Sequence, residues 1–398
     1  MLSRVRQYIP NWLVNTLWHF PKAVLANLFY GFPSKKLKVI GITGTSGKTT
    51  TAHLLYHLFQ KNGFKVALIS TIVAKLGKQE IDIGLHVTNP EPFALQKLLK
   101  RIANKGFNHV ILEVTSHGLD QHRVWGINFT YGVLLNITHE HLDYHKTFKK
   151  YQQAKFKLLE NSQTAVLNVA DKSYSAACRL ATGKVINFQS KQIKTLPGSL
   201  IGDFNKENVA AASAVAQDLG ITSSAIKTSL QTFPGIPGRM EFIQTSPFTI
   251  IIDFAHKPDA LEKALKAIKK LKGNQARIIS VFGSAGLRDT QKRPLMGKIS
   301  AKLSDITILT AEDPRTEKVN QIIDQIEAGW QQVKTKKQLF KQPDRQLAIN
   351  QAIKLAQPGD YVCLFGKSHE KSMCFGTIEY PWSEHQAVQT ALKLRRNK

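Results

Sequence analysis

The sequence predicts an α/β protein with two domains, each a mostly parallel sheet covered by helices. Strand-then-helix units alternate from Leu37 onward, a segment rich in glycine and proline interrupts them at residues 233–239, and the alternation then restarts. At 398 residues, 42% hydrophobic and 21% charged, the chain has material for two or three real cores and no bias towards disorder.

Residues 1–37 form a basic helical segment, with apolar runs at 12–18 and 23–32 flanked by Arg4, Arg6, Lys22, Lys35, Lys36 and Lys38. Pro21 splits the apolar part and no small-residue cleavage site follows it cleanly, so it does not read as a secretory signal. Two readings stand. The segment is a pair of amphipathic helices on an anionic membrane surface, anchored by Trp12, Trp18 and Tyr30, or it is a helical cap on the first domain.

Residues 38–42 read as a short buried strand. A helix follows over 49–62, with Leu54, Leu55, Leu58 and Phe59 on one face. Strands at 65–70, 109–114 and 132–136 then alternate with helices at 92–105 and 151–159, and an alanine-rich helix spans 205–219. These elements define a doubly wound phosphate-loop domain over 38–237. Past the punctuation, strands at 249–253, 276–282, 307–310 and 360–365 alternate with helices at 258–271, 319–329 and 344–356. They define a C-terminal Rossmann-like α/β domain over 238–398.

Lys+Arg 55 against Asp+Glu 28 gives a net charge of +27, and every charge before Glu80 is basic. Such a balance favours anionic partners. No zinc-finger spacing, helix-turn-helix punctuation or aromatic-basic interleaving accompanies it, so nucleic acid is not the expected partner. Cys178, Cys363 and Cys374 have no CxxC spacing, which suits a reducing, cytoplasmic setting. No run approaches the roughly 18 apolar residues of a spanning helix.

The strongest motif is Gly44, Thr45, Ser46, Gly47, Lys48, Thr49, Thr50, set between a strand and a helix. Backbone N–H groups of such a loop wrap phosphate oxygens, Lys48 neutralises them and Thr49 can ligate Mg²⁺. The strict GxxxxGK[ST] pattern is missed by one position, since Ile42 holds the first glycine site. Glu113 follows at a strand end, where open α/β sheets bind ligands and a carboxylate can hold Mg²⁺. His139, Glu140, His141, Asp143 and His145 could suggest zinc, but no cysteine joins them and phosphate chemistry calls for a hard cation. Lys155, read alone, is a surface lysine.

Residues 44–50, 113–121, 136–145 with 151–155, 205–208, 238–241, 253–256, 288–296, 313–315 and 366–370 occur in an order and spacing that resembles the Mur ligases, over most of the chain. Within that family the pattern is most similar to the branch that adds the third residue of the peptidoglycan stem peptide. The resemblance implies an ATP-dependent ligase that phosphorylates the D-glutamate carboxylate of a muramoyl dipeptide and lets an incoming amine displace phosphate. It also implies that Lys48 works on the phosphates, Thr49 and Glu113 serve one Mg²⁺, and His141 with a carbamylated Lys155 serves another. Asn208 corresponds to the adenine contact, Arg239 to a phosphate contact, and Asp253 with His256 to the ribose side. Thr88, Asn89, Pro90, Ser116, His117, Gln121 and Arg123 correspond to muramoyl-peptide contacts, Asn89 replacing the family's threonine.

For the incoming amino acid the resemblance points to Arg288, then Glu312, Asp313 and Arg315, then Gly366 and Glu370. An arginine at position 315 can hold a carboxylate bidentately and favours meso-diaminopimelate over lysine. Glu312-Asp313 replaces the family's Asp-Asn, and Ser368 replaces a glycine. Family members carry a further N-terminal domain that grips uridine diphosphate, whereas only 37 residues precede the first strand here. A lipid-linked or UDP-free acceptor and a folylpolyglutamate-like activity are the alternatives. The expected protein is a cytoplasmic monomer, with residues 1–36 as the place where peripheral membrane contact would occur.

Overall fold

The computed structural model describes residues 10–82, 84, 88–138, 140–273 and 275–396. Arg4 and Arg6 of the basic segment, and His139, lie outside the described residues, as does the side chain of Asp143. By packing, the chain divides into one unit of Met1–Pro197 with Asn205–Phe233 and a second of Gly198–Phe204 with Pro234–Lys398. The sequence boundary after 237 lies a few residues beyond that division. Phe233 packs edge-on against His57 of the first unit, 5.4 Å between ring centres.

Among the described residues the first unit is built on an eight-stranded sheet. Its strands are β1 (Lys38–Thr43), β2 (Val66–Ile69), β3 (Ala74–Leu76), β4 (Gln79–Ile81), β5 (His109–Glu113), β6 (Phe129–Leu134), β7 (Ser162–Asn168) and β8 (Lys184–Phe188). They lie in the order β4-β3-β2-β5-β1-β6-β7-β8, parallel from β2 to β8, with β3 and β4 antiparallel at one edge. β1 is buried along nearly its whole length, as a β-branched strand covered on both faces must be. Gly41 is needed within it because a Cβ there would come within 2.7 Å of the Phe129 ring. The strand expected at 132–136 runs instead over Phe129–Leu134, because Phe129 pairs with Val39 and seals that contact.

Among the described residues the second unit is built on a six-stranded sheet with a separate hairpin. The strands are β9 (Glu241–Gln244), β10 (Thr249–Asp253), β11 (Ile278–Phe282), β12 (Ile306–Leu309), β13 (Gln338–Lys341), β14 (Tyr361–Phe365), β15 (Ser372–Phe375) and β16 (Ile378–Pro381). Their order is β13-β12-β11-β14-β10-β9, with only β9 antiparallel, and β15 pairs with β16. Alternate residues of the strands feed two cores. Ile251, Phe282 and Phe365 face the helices Pro258–Leu271 and Val319–Gln331, while Ile250, Ile252, Val281 and Leu364 face Arg345–Leu355 and Glu384–Arg396.

The N-terminal segment is helical through Asn11–Val14, a π-helical turn at Asn15–His19 and Phe20–Tyr30, ending at Gly31 with φ of 71°. Its inner face is a cap on the first unit. Ala23, Ala26 and Asn27 are buried, and the Asn27 amide donates to Ala23 O and Trp125 O, each at 2.9 Å. No helix among the described residues is long and apolar enough to cross a membrane.

Candidate active site

The loop after β1 is held open by the segment that follows β6. Thr45 N donates to Asn136 O at 2.9 Å, Ser46 N donates to Asn136 Oδ1 at 3.0 Å, and Thr138 N donates to Thr45 Oγ1 at 2.9 Å. Gly47, at φ of 87°, turns the chain into the helix Lys48–Lys61, whose first backbone N–H groups therefore point into the loop. A Cβ on Gly47 would fall 2.2 Å from Asn208 Oδ1, so the helix Asn205–Asp218 is pressed against the loop. Lys48 Nζ donates to Gly44 O at 2.9 Å and to Thr45 O at 3.3 Å, the position of a cation that can exchange loop carbonyls for phosphate oxygens. Thr50 is buried in the first turn of the same helix.

β5 runs beside β1 in register, Glu113 opposite Ile42, which places the Glu113 carboxylate at the loop. Thr49 Oγ1 donates to Glu113 Oε1 at 2.9 Å and Thr71 N donates to Oε2 at 2.8 Å, with Glu113 only 1% exposed. A hydroxyl and a carboxylate oxygen paired this way are hard donors of the kind Mg²⁺ takes. Lys155 is likewise buried, not on the surface where a lysine read alone would lie, and so stands inside the protein beside the loop to which the family resemblance assigns it. Thr147 caps its helix, Phe148–Glu160, and Lys155 Nζ donates to Gly44 O at 2.8 Å while lying 4.8 Å over the Tyr151 ring. Tyr151, absent from the expected set, ties this helix to the loop through a hydrogen bond of 2.9 Å between its hydroxyl and Thr45 Oγ1. Burial raises its pKa above the usual phenol range.

His141 adjoins the same tyrosine, 6.1 Å between rings, and stands 4.7 Å from the His117 ring. His117 packs on Tyr144 at 4.3 Å and on His145 at 5.4 Å, and His145 Nε2 shares a 3.0 Å hydrogen bond with Ser116 Oγ. Asn89 works as a bracket. Its Nδ2 donates to Glu113 O at 2.7 Å, and its Oδ1 accepts from Thr115 N and Thr115 Oγ1, both at 2.8 Å. Arg123 completes the bracket, donating to Asn89 O at 2.8 Å and Gln121 Oε1 at 2.9 Å, with Glu91 at 3.3 Å. Thr88 shares a 2.9 Å hydrogen bond with Thr71, and Pro90 is buried beside Asn89. Among the described residues no group of three or more His, Cys, Asp or Glu side chains could hold a metal ion.

In the second unit Asp253, at the end of β10, accepts from Met240 N at 2.7 Å and Ala255 N at 2.9 Å; burial raises its pKa against the pull of Arg239. The Arg239 guanidinium stacks 4.5 Å over the Phe254 ring, and His256 Nδ1 donates to Phe254 O at 2.9 Å. Phe254 and His369, whose rings stand 4.9 Å apart, complete this group and were not among the expected residues.

A second group gathers on Lys367, which is fully buried. Its Nζ donates to Asp313 Oδ1 at 2.9 Å and Glu370 Oε2 at 2.7 Å; burial disfavours its charge, but the two carboxylates outweigh burial and hold its pKa above the ordinary lysine value. Glu312 is buried beside Gly366, and burial raises its pKa. Arg315, at φ of 51°, pairs its backbone with Cys374 and Gly376 of the β15–β16 hairpin, and its guanidinium donates to Gly286 O at 2.7 Å. Arg288 sits on an exposed loop. The arrangement thus gathers Glu312, Asp313, Gly366 and Glu370 around a lysine that carried no expected role.

A phosphate loop, a carboxylate paired to its threonine and a buried lysine reaching the same loop fit enzymes that transfer a phosphoryl group to a carboxylate. The family profile described as Mur ligase middle domain matches residues 42–192, and that described as Mur ligase, glutamate ligase domain matches residues 238–368. The chain belongs to the Mur ligase family. It is an ATP-dependent, amide-bond-forming ligase. Among curated Mur ligases it is 37% identical over 392 residues to the UDP-N-acetylmuramoyl-L-alanyl-D-glutamate--2,6-diaminopimelate ligase of Aquifex aeolicus (strain VF5), covering 92% of this chain and 80% of that one. It is 36% identical to the enzyme of the same name from Thermosynechococcus vestitus (strain NIES-2133 / IAM M-273 / BP-1), covering 93% and 80%. A solved ligase of that name superposes with a TM-score of 0.62 at 28% identity, covering 91% of this chain and 79% of that chain. E. coli FolC in complex with DHPP and ADP superposes with a TM-score of 0.71 at 18% identity, covering 94% and 93%, a likeness of fold alone.

Proposed function

We propose that this Mur ligase joins a diamino acid, meso-diaminopimelate, to the D-glutamate carboxylate of a muramoyl dipeptide in peptidoglycan precursor synthesis. The observation that carries the reading is the Thr49 hydroxyl set on the Glu113 carboxylate at the mouth of the phosphate loop, in a chain whose relatives bear that enzyme's name. In the reaction the acceptor carboxylate takes the γ-phosphoryl group of ATP and ADP leaves. The incoming amine then attacks the acyl carbon, gives up a proton and expels phosphate. Residues 38–237 act as the ATP-binding domain and residues 238–398 as the ligase domain that takes the amino acid.

Gly44 to Thr50 hold the phosphates through backbone N–H groups and Lys48, with Asn208, Arg239, Asp253 and His256 assigned to the rest of the nucleotide. Thr49 and Glu113 hold one Mg²⁺, and His141 with Lys155 in its carbamate form holds another; bound there, the ions offset the charge that phosphate and carboxylate bring together. Ser116, His117, Gln121 and Arg123 hold the muramoyl peptide, with Thr88, Asn89 and Pro90 as their support. Arg288, Glu312, Asp313, Arg315, Gly366 and Glu370 select the amino acid, Arg315 taking its distal carboxylate. The enzyme works as a cytoplasmic monomer, with residues 1–36 as the segment through which peripheral membrane contact is made.

The test is mass-spectrometric detection of product after incubation with ATP, Mg²⁺, UDP-N-acetylmuramoyl-L-alanyl-D-glutamate and a mixture of meso-diaminopimelate, lysine and ornithine. The expected product carries diaminopimelate. A lysine or ornithine product would overturn the assignment of Arg315, and no product from protein that binds ATP would overturn the UDP-linked acceptor.

A further inference from the structure

The N-terminal helix has two faces of opposite character. Inward, Phe20 packs on His122 and Trp125 with ring centres 5.2 and 5.3 Å away, and Asn15 Nδ2 donates to Asp120 Oδ2 at 2.8 Å and to the Tyr144 hydroxyl at 3.4 Å. Lys22 pairs with Glu91 at 2.8 Å, the carboxylate that also faces Arg123. Outward, Trp12, Leu17, Trp18, Leu25, Leu28 and Phe29 are between 58% and 73% exposed. Trp18, Leu25 and Phe29 lie at i, i+7 and i+11 and so share a helix face. Water gains nothing from this ridge, and large apolar side chains contiguous on a surface mark a docking face.

Charge selects the occupant. The chain carries no acidic residue before Glu80, and Lys35, Lys36 and Lys38 follow the helix directly. The helix Pro92–Asn104 lies alongside, Phe93 standing 6.3 Å from the Phe29 ring, and it exposes Lys97, Lys100 and Arg101 at i+4, i+7 and i+8 from Phe93. An apolar ridge carrying tryptophans and rimmed by cations suits the headgroup boundary of an anionic bilayer. A second copy of the chain would set like charge against like charge.

We propose that this helix seats the enzyme on an anionic lipid bilayer. The residues it grips from within, Asp120, Tyr144 and Glu91, are those that brace Gln121, His117 and Arg123, so the seated enzyme holds its acceptor subsite next to the membrane. The seating stands on the apolar ridge and its cationic rim; the link to the acceptor rests on the function proposed above.

The test is co-sedimentation of the full chain with vesicles of pure phosphatidylcholine and with vesicles containing about 30 mol% phosphatidylglycerol, alongside turnover on the soluble UDP-linked acceptor. The expected result is binding to the anionic vesicles that weakens with salt, at least about tenfold lower for Trp18→Ser/Phe29→Ser and for Lys97→Glu/Lys100→Glu/Arg101→Glu. Both variants should keep the wild-type circular dichroism and turnover. Absence of wild-type binding, unchanged binding by folded variants, or a concentration-dependent dimer broken by the serine variant would overturn the seating. Vesicle binding without product would overturn the UDP-linked acceptor of the proposed function and leave the seating intact.

Discussion

Lys155 has no apolar reason to be buried, yet its ammonium reaches Gly44 O at 2.8 Å beneath the phosphate loop. A buried charge is retained where chemistry uses it, and the half-buried Lys48 donates to the same Gly44 O. Lys48→Ala and Lys155→Ala should each lower turnover at least about 1,000-fold with the fold intact by circular dichroism; normal activity in Lys155→Ala would remove it from the site. Arg315 makes a different kind of claim, since a guanidinium that holds a substrate carboxylate acts on binding. Arg315→Ala should raise KM for the diamino acid about 10- to 100-fold and leave KM for ATP unchanged. Equal effects on both constants would place Arg315 outside the amino-acid pocket.

Among elements, the helices Lys292–Leu303 and Val319–Gln331 pack so closely that a Cβ on Gly297 would stand 1.9 Å from Ile326 O, and one on Gly329 would stand 1.8 Å from Pro294 O. Two glycines facing opposite backbones set this spacing. Gly297→Ala should force the pair apart and destabilise the second unit by about 1–3 kcal/mol, read as a lowered urea midpoint. The same packing explains why the first of these helices was absent from the expected elements. Pro294, Gly297 and its lysines break the apolar period, and its stability comes from a close approach that no periodicity records. The β3–β4 and β15–β16 hairpins escaped for a related reason, being strands of only three or four residues each.

Across the whole molecule the shifted histidines of the two units respond to pH in opposite senses. In the first, burial holds the pKa values of His57, His109 and His122 below 6.5, so folding favours their neutral forms. Their contribution is present above pH 6.5 and is lost as pH falls through the depressed values. In the second, the hydrogen bond to Glu241 raises the pKa of His385, so its contribution is complete below pH 6.5 and is lost as pH rises through the raised value. Hydrogen exchange at pH 5, 6.5 and 8 should show first-unit protection falling towards acid and protection around His385 falling towards base. His109→Phe is the control. The His109 ring sits between Phe59 and Phe64 with both nitrogens buried and lacking a hydrogen-bond partner, so phenylalanine should stabilise the first unit by about 1 kcal/mol and shallow its acid limb. An unchanged acid limb would show that His109 does not contribute to it.

By itself the sequence determined the α/β class, most of the long elements, the phosphate loop and Glu113 at a strand end, because these depend on local periodicity and on residues a few positions apart. The strand β10 and the helix Pro258–Leu271 stand at the expected bounds, since both carry an uninterrupted apolar pattern between clear breakers. Tertiary structure decided what lies far apart in the chain: Asn208 pressed on Gly47, Asn89 bracketing Thr115 and Glu113, Tyr151 tied to Thr45, Phe254 beneath Arg239, and Lys367 between Asp313 and Glu370. It also decided that the N-terminal helix caps the first unit with one face and leaves an apolar ridge on the other. Burial and pairing across long sequence separations are properties of packing, and no local pattern encodes them.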